Sequence, residues 1–130
     1  MKNDSMIAAL KAVFVPALKE RGFEGWLPHF RRIQATRIDL LTVQFNTWGG
    51  SFIIEVAKCP PEGITTAWGE FIAPNKCRAW DVPYRSRHRL GAPTPGRDGV
   101  WFRYDDGTSV EVVAQKAAGY LSEADHWWNQ

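Results

Sequence analysis

Apolar residues recur at helical spacing near the N-terminus. Asp4 and Ser5 are candidate N-caps, and the apolar positions after them follow at steps of three and four residues: Met6, Leu10, Phe14, Ala17 and Leu18. This stripe predicts a helix that ends near Gly22, a residue suited to the left-handed conformation after a helix. Because Pro16 lacks an amide donor, we expect a kink there or two abutting short helices.

The pattern then changes to the alternation typical of strands. Residues 29–34 are a short candidate, and residues 37–48 a longer one rich in β-branched and aromatic side chains. In the longer segment the apolar parity shifts near Leu40. This shift indicates either a bulge or a strand that is covered on both faces.

A glycine pair predicts the first hairpin. Gly49 and Gly50 separate the long strand candidate from a second alternating run at residues 52–57. We therefore predict that residues 43–45 pair with residues 52–54 in an antiparallel arrangement.

The second half of the chain contains more breakers. Residues 70–73 are a short strand candidate, residues 81–99 are predicted to be mostly loop, and residues 100–104 alternate as the last strand. Thr108 and Glu111 have capping-box spacing before a C-terminal helix with an apolar stripe: Val110, Val113, Ala114, Ala117 and Leu121. The predicted fold class is α+β, with an antiparallel sheet of about four to five strands flanked by an N-terminal and a C-terminal helix.

Length and composition restrict the class of protein. The chain has 130 residues, of which 45% are hydrophobic, so we expect residues 1–130 to form a single domain. No apolar run approaches the roughly 20 residues needed to span a bilayer, and the first residues do not resemble a secretory signal. We expect a cytoplasmic protein without a membrane partner, in which Cys59 and Cys77 remain reduced.

Charge is unevenly distributed although the net charge is only +2. Residues 76–104 contain seven basic and two acidic residues, a net charge of +5, whereas residues 105–130 contain one basic and five acidic residues, a net charge of −4. The simpler interpretation is that the two segments pair with each other at the surface, and an anion-binding site is the alternative.

Segments along most of the chain follow a known pattern: LKERGF at residues 18–23, the strand at 29–33, VQFNTWGGSFIIEV at 43–56, Cys77, SRHRLG at 86–91, Trp101 and the closing helix. Through them the chain resembles the bacterial domain-of-unknown-function family 4304. The resemblance implies an antiparallel sheet flanked by N- and C-terminal helices, and it implies no reaction.

Candidate catalytic residues are few. Cys77 and His88 could form a thiolate and base, and Cys59 and His126 could join them around zinc, but the spacings match no zinc or nucleophile pattern. Buried cysteines commonly serve only as core residues. We therefore predict no catalytic residue, no metal and no cofactor.

The basic loop is the candidate binding site. It combines aromatic and basic residues that suit stacking, phosphate pairing or an acidic protein surface: Trp80, Tyr84, Arg85, Arg87, His88 and Arg89. Arginines that pin the loop through backbone carbonyls are the first interpretation, a protein partner the second and nucleic acid the third. We expect an ordered loop in which Leu90 is buried and at least two of the three arginines face solvent.

The seven tryptophans give further expectations. Trp48 and Trp101 lie in strand patterns and are expected in the core. Trp127 and Trp128 either fold back onto the core or offer an apolar patch, and folding back is the preferred interpretation.

Three functions remain open. The first is a non-enzymatic protein-binding domain, of which a bacterial toxin-immunity-type protein is the most concrete version; its partner would be a toxin domain or a second copy of the chain. The second is a nucleic-acid-binding domain that uses the arginine-rich loop. The third, a small enzyme, requires Cys77 and His88 to be adjacent.

Overall fold

An antiparallel sheet with helices on one face forms the centre of the molecule. The computed structural model describes residues 3–92 and 99–130. In chain order the elements are α1 (Asp4–Glu20), β1 (Glu24–Trp26), β2 (His29–Ile33), β3 (Ile38–Phe45), β4 (Ser51–Cys59), β5 (Ile64–Thr65), β6 (Phe71–Ile72), β7 (Arg87–Arg89), β8 (Phe102–Arg103), α2 (Val110–Gly119) and α3 (Leu121–Trp128). The predicted α+β class with flanking N- and C-terminal helices is confirmed.

Strand β4 is the centre of the sheet. The order is β1-β2-β3-β4, and the far edge of β4 pairs with two short strands, β7 and β8. β7 pairs along residues 55–57 of β4, and β8 pairs with Ser51 and Phe52. β5 and β6 form a separate two-stranded sheet. The prolines and glycines of residues 81–99 predict mostly loop, and β7 corrects this prediction at Arg87–Arg89.

The predicted hairpin between β3 and β4 is confirmed. Val43 pairs with Ile54 and Phe45 with Phe52, in an unbroken antiparallel register. The register is also continuous through Leu40, and residues 38–43 are all buried. The parity shift in the sequence therefore reflects a strand that is covered on both faces, not a bulge.

The helices differ from prediction at their ends. α1 continues through Pro16 as one helix, because the proline and the backbone one turn before it lie on the exposed side. Its cap residue is Asn3 rather than Asp4 or Ser5. At the other end of the chain the predicted single helix is two helices that meet at Tyr120.

The cap of α2 also corrects the prediction. Ser109, not Thr108, is the N-cap, and its hydroxyl accepts a hydrogen bond from the Val112 amide at 3.2 Å. The Thr108 hydroxyl instead donates to Asp106 at 2.7 Å.

The sheet separates two apolar clusters of different size. The larger lies under the helices and includes Leu10, Phe14, Val56 and Trp128. The smaller lies on the opposite side, hereafter the outer face: Ile38, Leu40, Ala57, Cys59, Cys77, Ala79 and Val82. The chain between β6 and β7 covers the outer face with three 3-10 turns, Pro74–Lys76, Ala79–Asp81 and Tyr84–Ser86. In the described part of the chain, no helix is long and apolar enough to cross a membrane.

Candidate functional site

The predicted binding residues lie on two sides of the sheet. Register pairs Arg87 with Ala57, His88 with Val56 and Arg89 with Glu55. Directly paired side chains point to the same face of a sheet, and successive residues alternate. The two arginines of β7 therefore belong to the outer face, whereas His88 belongs to the helix side. Residues 93–98, which include Arg97 of the basic segment, lie outside the described residues.

Both arginines of β7 pair with a buried carboxylate. Glu55 is 2% exposed, with Arg87 Nη1 3.2 Å from Oε1 and Arg89 Nε 3.5 Å from Oε2. Arg87 also donates to the Val82 carbonyl at 2.6 Å and to the Trp80 carbonyl. These bonds fit the loop-pinning interpretation.

The expectation that at least two of the three loop arginines face solvent is wrong. Arg85 is exposed, but the side chains of Arg87 and Arg89 are only 20% and 24% exposed. The physical reason is Glu55, because a carboxylate buried in the central strand requires charged partners. Leu90 is buried, as predicted.

His88 joins the loop to α3. Its Nε2 lies 2.9 Å from Glu123 Oε2, and its ring stacks on Trp127 with centroids 5.7 Å apart. Glu123 also accepts a hydrogen bond of 3.0 Å from the Gly91 amide. His88 thus fastens the C-terminal helix to the sheet. Cys77 packs on the outer face, so the sheet separates it from His88, and the two do not form the thiolate and base that an enzyme would need.

The two thiols are buried, and their burial disfavours the thiolate form. Cys77 Sγ donates to the Ala73 carbonyl at 3.3 Å. Burial raises the pKa of the Cys59 thiol to about 12 and also raises the pKa of the Cys77 thiol. Raised pKa values oppose nucleophilic or metal-binding roles, which need the thiolate. Within the described ranges no cluster of three or more metal-ligating side chains occurs.

Charge pairing is only partly that predicted from the sequence. Arg103 and Asp105 pair at 3.2 Å, which joins the basic and acidic segments at their boundary. However, Asp125 of the acidic segment pairs with Arg21 and Arg32, which belong to neither segment. The basic segment is therefore not simply neutralised by its neighbour in sequence.

The positions of two tryptophans correct the sequence prediction. Trp48 is 86% exposed and Trp101 43% exposed, although both were expected in the core. Trp48 lies in the turn beyond β3, and Trp101 precedes Phe102, whose side chain occupies the core instead. Trp128 is completely buried, so the predicted folding back is confirmed.

Two exposed tryptophans on the outer side line one slot. Trp68 is 79% exposed in the turn between β5 and β6, and Trp80 is 41% exposed in the 3-10 turn at Ala79–Asp81. Together with Pro83 they line a slot of about 230 Å³. Tyr84 and Arg85 follow Pro83 directly and are exposed. We call Trp68, Trp80, Pro83, Tyr84 and Arg85 the aromatic surface.

Local contacts hold this surface in shape. The Trp80 and His29 rings pack in a T-shaped arrangement with centroids 4.4 Å apart, and the Arg78 guanidinium lies 5.4 Å from the centroid of the Trp80 ring. Arg78 is in turn held by Asp81 at 3.2 Å. On the other wall of the slot, the Thr66 hydroxyl accepts a 3.0 Å hydrogen bond from the Glu70 amide and stabilises the turn that carries Trp68.

The sequence predicts three of the five residues of the aromatic surface. It identified Trp80, Tyr84 and Arg85 from their chemistry, but not Trp68. The available signal was a tryptophan in a turn between short strands, next to Gly69 with a φ of 89°. A large ring in such a turn lies too far from the core to pack into it.

Comparison with protein families gives one match. The model of the family described as Domain of unknown function (DUF4304) matches residues 14–130. No curated protein and no solved structure matches the chain.

Proposed function

This chain belongs to the DUF4304 family, and we propose that it is a non-enzymatic domain that binds another protein through the aromatic surface. The observation that carries the proposal is the pair of exposed tryptophans, Trp68 and Trp80, that line the same slot. Tryptophan, tyrosine and arginine dominate the binding energy of protein interfaces, and the aromatic surface contains all three.

The slot favours a protein side chain over a metabolite. Its volume of about 230 Å³ is below the roughly 300–1,000 Å³ of typical small-molecule sites. His29 and Arg78 already hold the Trp80 ring, and Thr66 holds the turn that carries Trp68. Such preorganisation strengthens association because less entropy is lost.

Charge indicates the chemistry of the partner. Lys76, Arg78 and Arg85 are exposed close to the aromatic rings in sequence, and Arg85 forms no ion pair within the described residues. A partner with carboxylates beside an apolar side chain would satisfy both parts of the surface. A toxin domain bound by an immunity-type protein is the specific version we propose, with the complex in the cytoplasm.

The alternatives have less support. Glu55 occupies Arg87 and Arg89, so two of the three loop arginines are not available as a phosphate-binding row. We therefore expect only weak, salt-sensitive association with nucleic acid. The opposite positions of Cys77 and His88 remove the arrangement on which the enzyme hypothesis depends.

Affinity capture from the native host tests the proposal. The baits are the wild-type chain, the double variant Trp68→Ala/Tyr84→Ala, and Trp48→Ala as a control that removes an equally exposed indole outside the aromatic surface. A protein retained by the wild type and the control, but not by the double variant, is then purified and titrated against each bait after nuclease treatment.

The expected result is a direct complex that the double variant weakens by about 30-fold or more, because the loss of even one interface hot spot costs about 2 kcal/mol or more. Equal binding by all three baits would contradict the proposal. Loss of the complex on nuclease treatment would favour the nucleic-acid-binding function. A complex formed only between copies of the chain would contradict a toxin partner and favour self-association.

A further inference from the structure

A second cavity on the outer side has different chemistry from the slot. It lies between the turn that joins β1 to β2 and the residue that precedes the Ala79–Asp81 turn, and its volume is about 550 Å³. Its polar lining is mainly cationic. We call Lys19, Trp26, His29, Arg31 and Arg78 the basic cleft.

Two cations of the basic cleft are held by neutral groups. Arg31 donates from Nε and Nη2 to the Cys77 carbonyl at 3.3 and 3.0 Å, and Lys19 donates from Nζ to the Gly25 carbonyl at 3.1 Å. A carbonyl fixes the position of a cation without cancelling its charge. Both charges are therefore positioned and remain available to an anion.

The remaining charges leave the cleft positive. Arg78 pairs with Asp81, and Glu24 is the acidic residue in the lining. Three cations thus face two carboxylates, one of which is already bound to Arg78. These bonds use Nε and Nη2 of Arg31 and of Arg78, so the Nη1 donor of each guanidinium is left to pair with a carboxylate or phosphate.

The pKa of His29 is consistent with a positively charged cleft. Its Nδ1 lies 3.0 Å from the Thr42 hydroxyl. Burial lowers the pKa of His29, and the nearby guanidiniums of Arg78 and Arg31 lower it further, against a smaller opposite effect of Asp81. The imidazole is thus neutral near pH 7 and lies in a site where positive charge predominates.

The rim adds an aromatic platform. Trp26 is 82% exposed, and the apolar Leu27 and Pro28 continue the lining beside it. An exposed indole next to fixed cations suits a ligand that has a flat apolar group attached to an anion.

We propose that the basic cleft binds a small organic anion, with its carboxylate or phosphate group between Arg31 and Arg78 and a flat apolar group against Trp26. The cavity volume lies within the range of small-molecule sites. The two proposed sites share Arg78, which also lies over Trp80, but they use different exposed tryptophans, so Trp26→Ala distinguishes the two proposals.

Calorimetric titration with matched probes tests the inference. Benzoate and phenyl phosphate distinguish the two anionic groups, acetate and inorganic phosphate remove the ring, and benzyl alcohol removes the charge. We expect one of the two aromatic anions to bind more tightly than its ring-free and neutral counterparts. Equal binding of benzyl alcohol, or no binding of either aromatic anion, would overturn the inference.

Variants locate the site. Arg78→Gln and Trp26→Ala should each weaken binding by about tenfold, the effect of losing one charged hydrogen bond or one stacking partner. Arg85→Gln and Trp48→Ala are the controls, because they remove an exposed guanidinium and an exposed indole outside the cleft. An equal loss of binding in the controls would contradict the assignment. Neither site variant changes a core residue, because Arg78 and Trp26 are both exposed.

The titration of His29 gives a second readout. A bound anion stabilises the imidazolium, so saturation with the aromatic anion should raise the pKa of His29 as measured by NMR. The charged groups around it, Arg31, Arg78, Asp81, Lys19 and Glu24, are unchanged in that comparison. A His29 pKa that does not rise on saturation would place the anion elsewhere and refute the inference.

Discussion

The indole Nε1 of Trp128 donates a hydrogen bond of 2.9 Å to the backbone carbonyl of Ala57. This bond connects the last helical residue of the chain to the central strand, across 71 residues of sequence. Because Trp128 is completely buried and also packs against Phe23 at 5.0 Å, it closes the helix-side core.

Replacement of Trp128 should destabilise the fold. Trp128→Phe retains an aromatic ring but removes the indole donor to the Ala57 carbonyl and part of a buried ring, a combined loss of about 1–3 kcal/mol. Urea unfolding measures the change, with Trp48→Phe as the control that should stay within about 0.5 kcal/mol. A loss no larger than in the control would show that the bond contributes nothing to stability.

The carboxylate of Glu55 should hold the arginine strand in place. Glu55→Gln removes the charge that Arg87 and Arg89 share, and breaking a buried ion pair in this way costs about 3–5 kcal/mol. Hydrogen exchange should show faster exchange of the β7 amides. Arg85→Gln, which affects an exposed arginine, should change neither quantity, and equal effects of the two variants would contradict the pinning role.

The Cys59 thiol should make stability depend on alkaline pH. Its pKa rises from 9.0 to about 12 on folding because of burial. The associated stabilisation is complete below pH 9.0 and is lost as the pH approaches 12, because the unfolded chain releases a proton that the folded chain retains. Burial also raises the pKa of Cys77 and of Tyr104. The contribution of Cys59 is therefore measured as the difference in stability between the wild type and a variant that lacks its thiol.

Cys59→Ala isolates that contribution. The variant should lose stability less steeply than the wild type between pH 9.0 and about 12, measured by urea unfolding at each pH. Curves that remain parallel over this interval would show that Cys59 has no raised pKa in the folded protein.

Two glycines should respond oppositely to alanine. Gly25 has a φ of 112°, and a Cβ there would approach the His29 carbonyl oxygen at 2.6 Å, so Gly25→Ala should cost more than about 1 kcal/mol. Gly119 closes α2 with open space around it, so Gly119→Ala should stabilise by about 0.4–1 kcal/mol. Thermal unfolding measures both effects. Melting temperatures that change in the same direction in the two variants would be inconsistent with these backbone positions.

Local patterns predicted the hairpin and the short strands β2, β6 and β8, but not β1, β5 or β7. Residues 43–45 and 52–54 alternate on either side of Gly49 and Gly50, so their pairing follows from adjacent sequence. β7 has three polar residues, and it becomes a strand because residues 55–57 of β4 present an edge 30 to 34 residues away in the sequence. No local signal contains that pairing.

The difference between local patterns and long-range contacts also explains which residues of the candidate site could be predicted. Composition identified Trp80, Tyr84 and Arg85, whose exposure follows from a segment rich in proline and charge. His88 separates from its neighbouring arginines only when alternation in β7 is known. Trp68 was missed because its exposure depends on how the β5–β6 sheet lies against the Ala79–Asp81 turn, which is a tertiary relationship.

Site-specific photo-crosslinking tests the central claim, that the aromatic surface binds a protein, most directly. A photoreactive phenylalanine analogue is placed at Trp68, Tyr84 or Trp48 of the full chain, and the host cells are irradiated. We predict that the first two positions give the same protein adduct above the 14.7 kDa chain, resistant to nuclease, and that Trp48 gives none. The same adduct at all three positions, or no adduct at Trp68 and Tyr84, would contradict the claim.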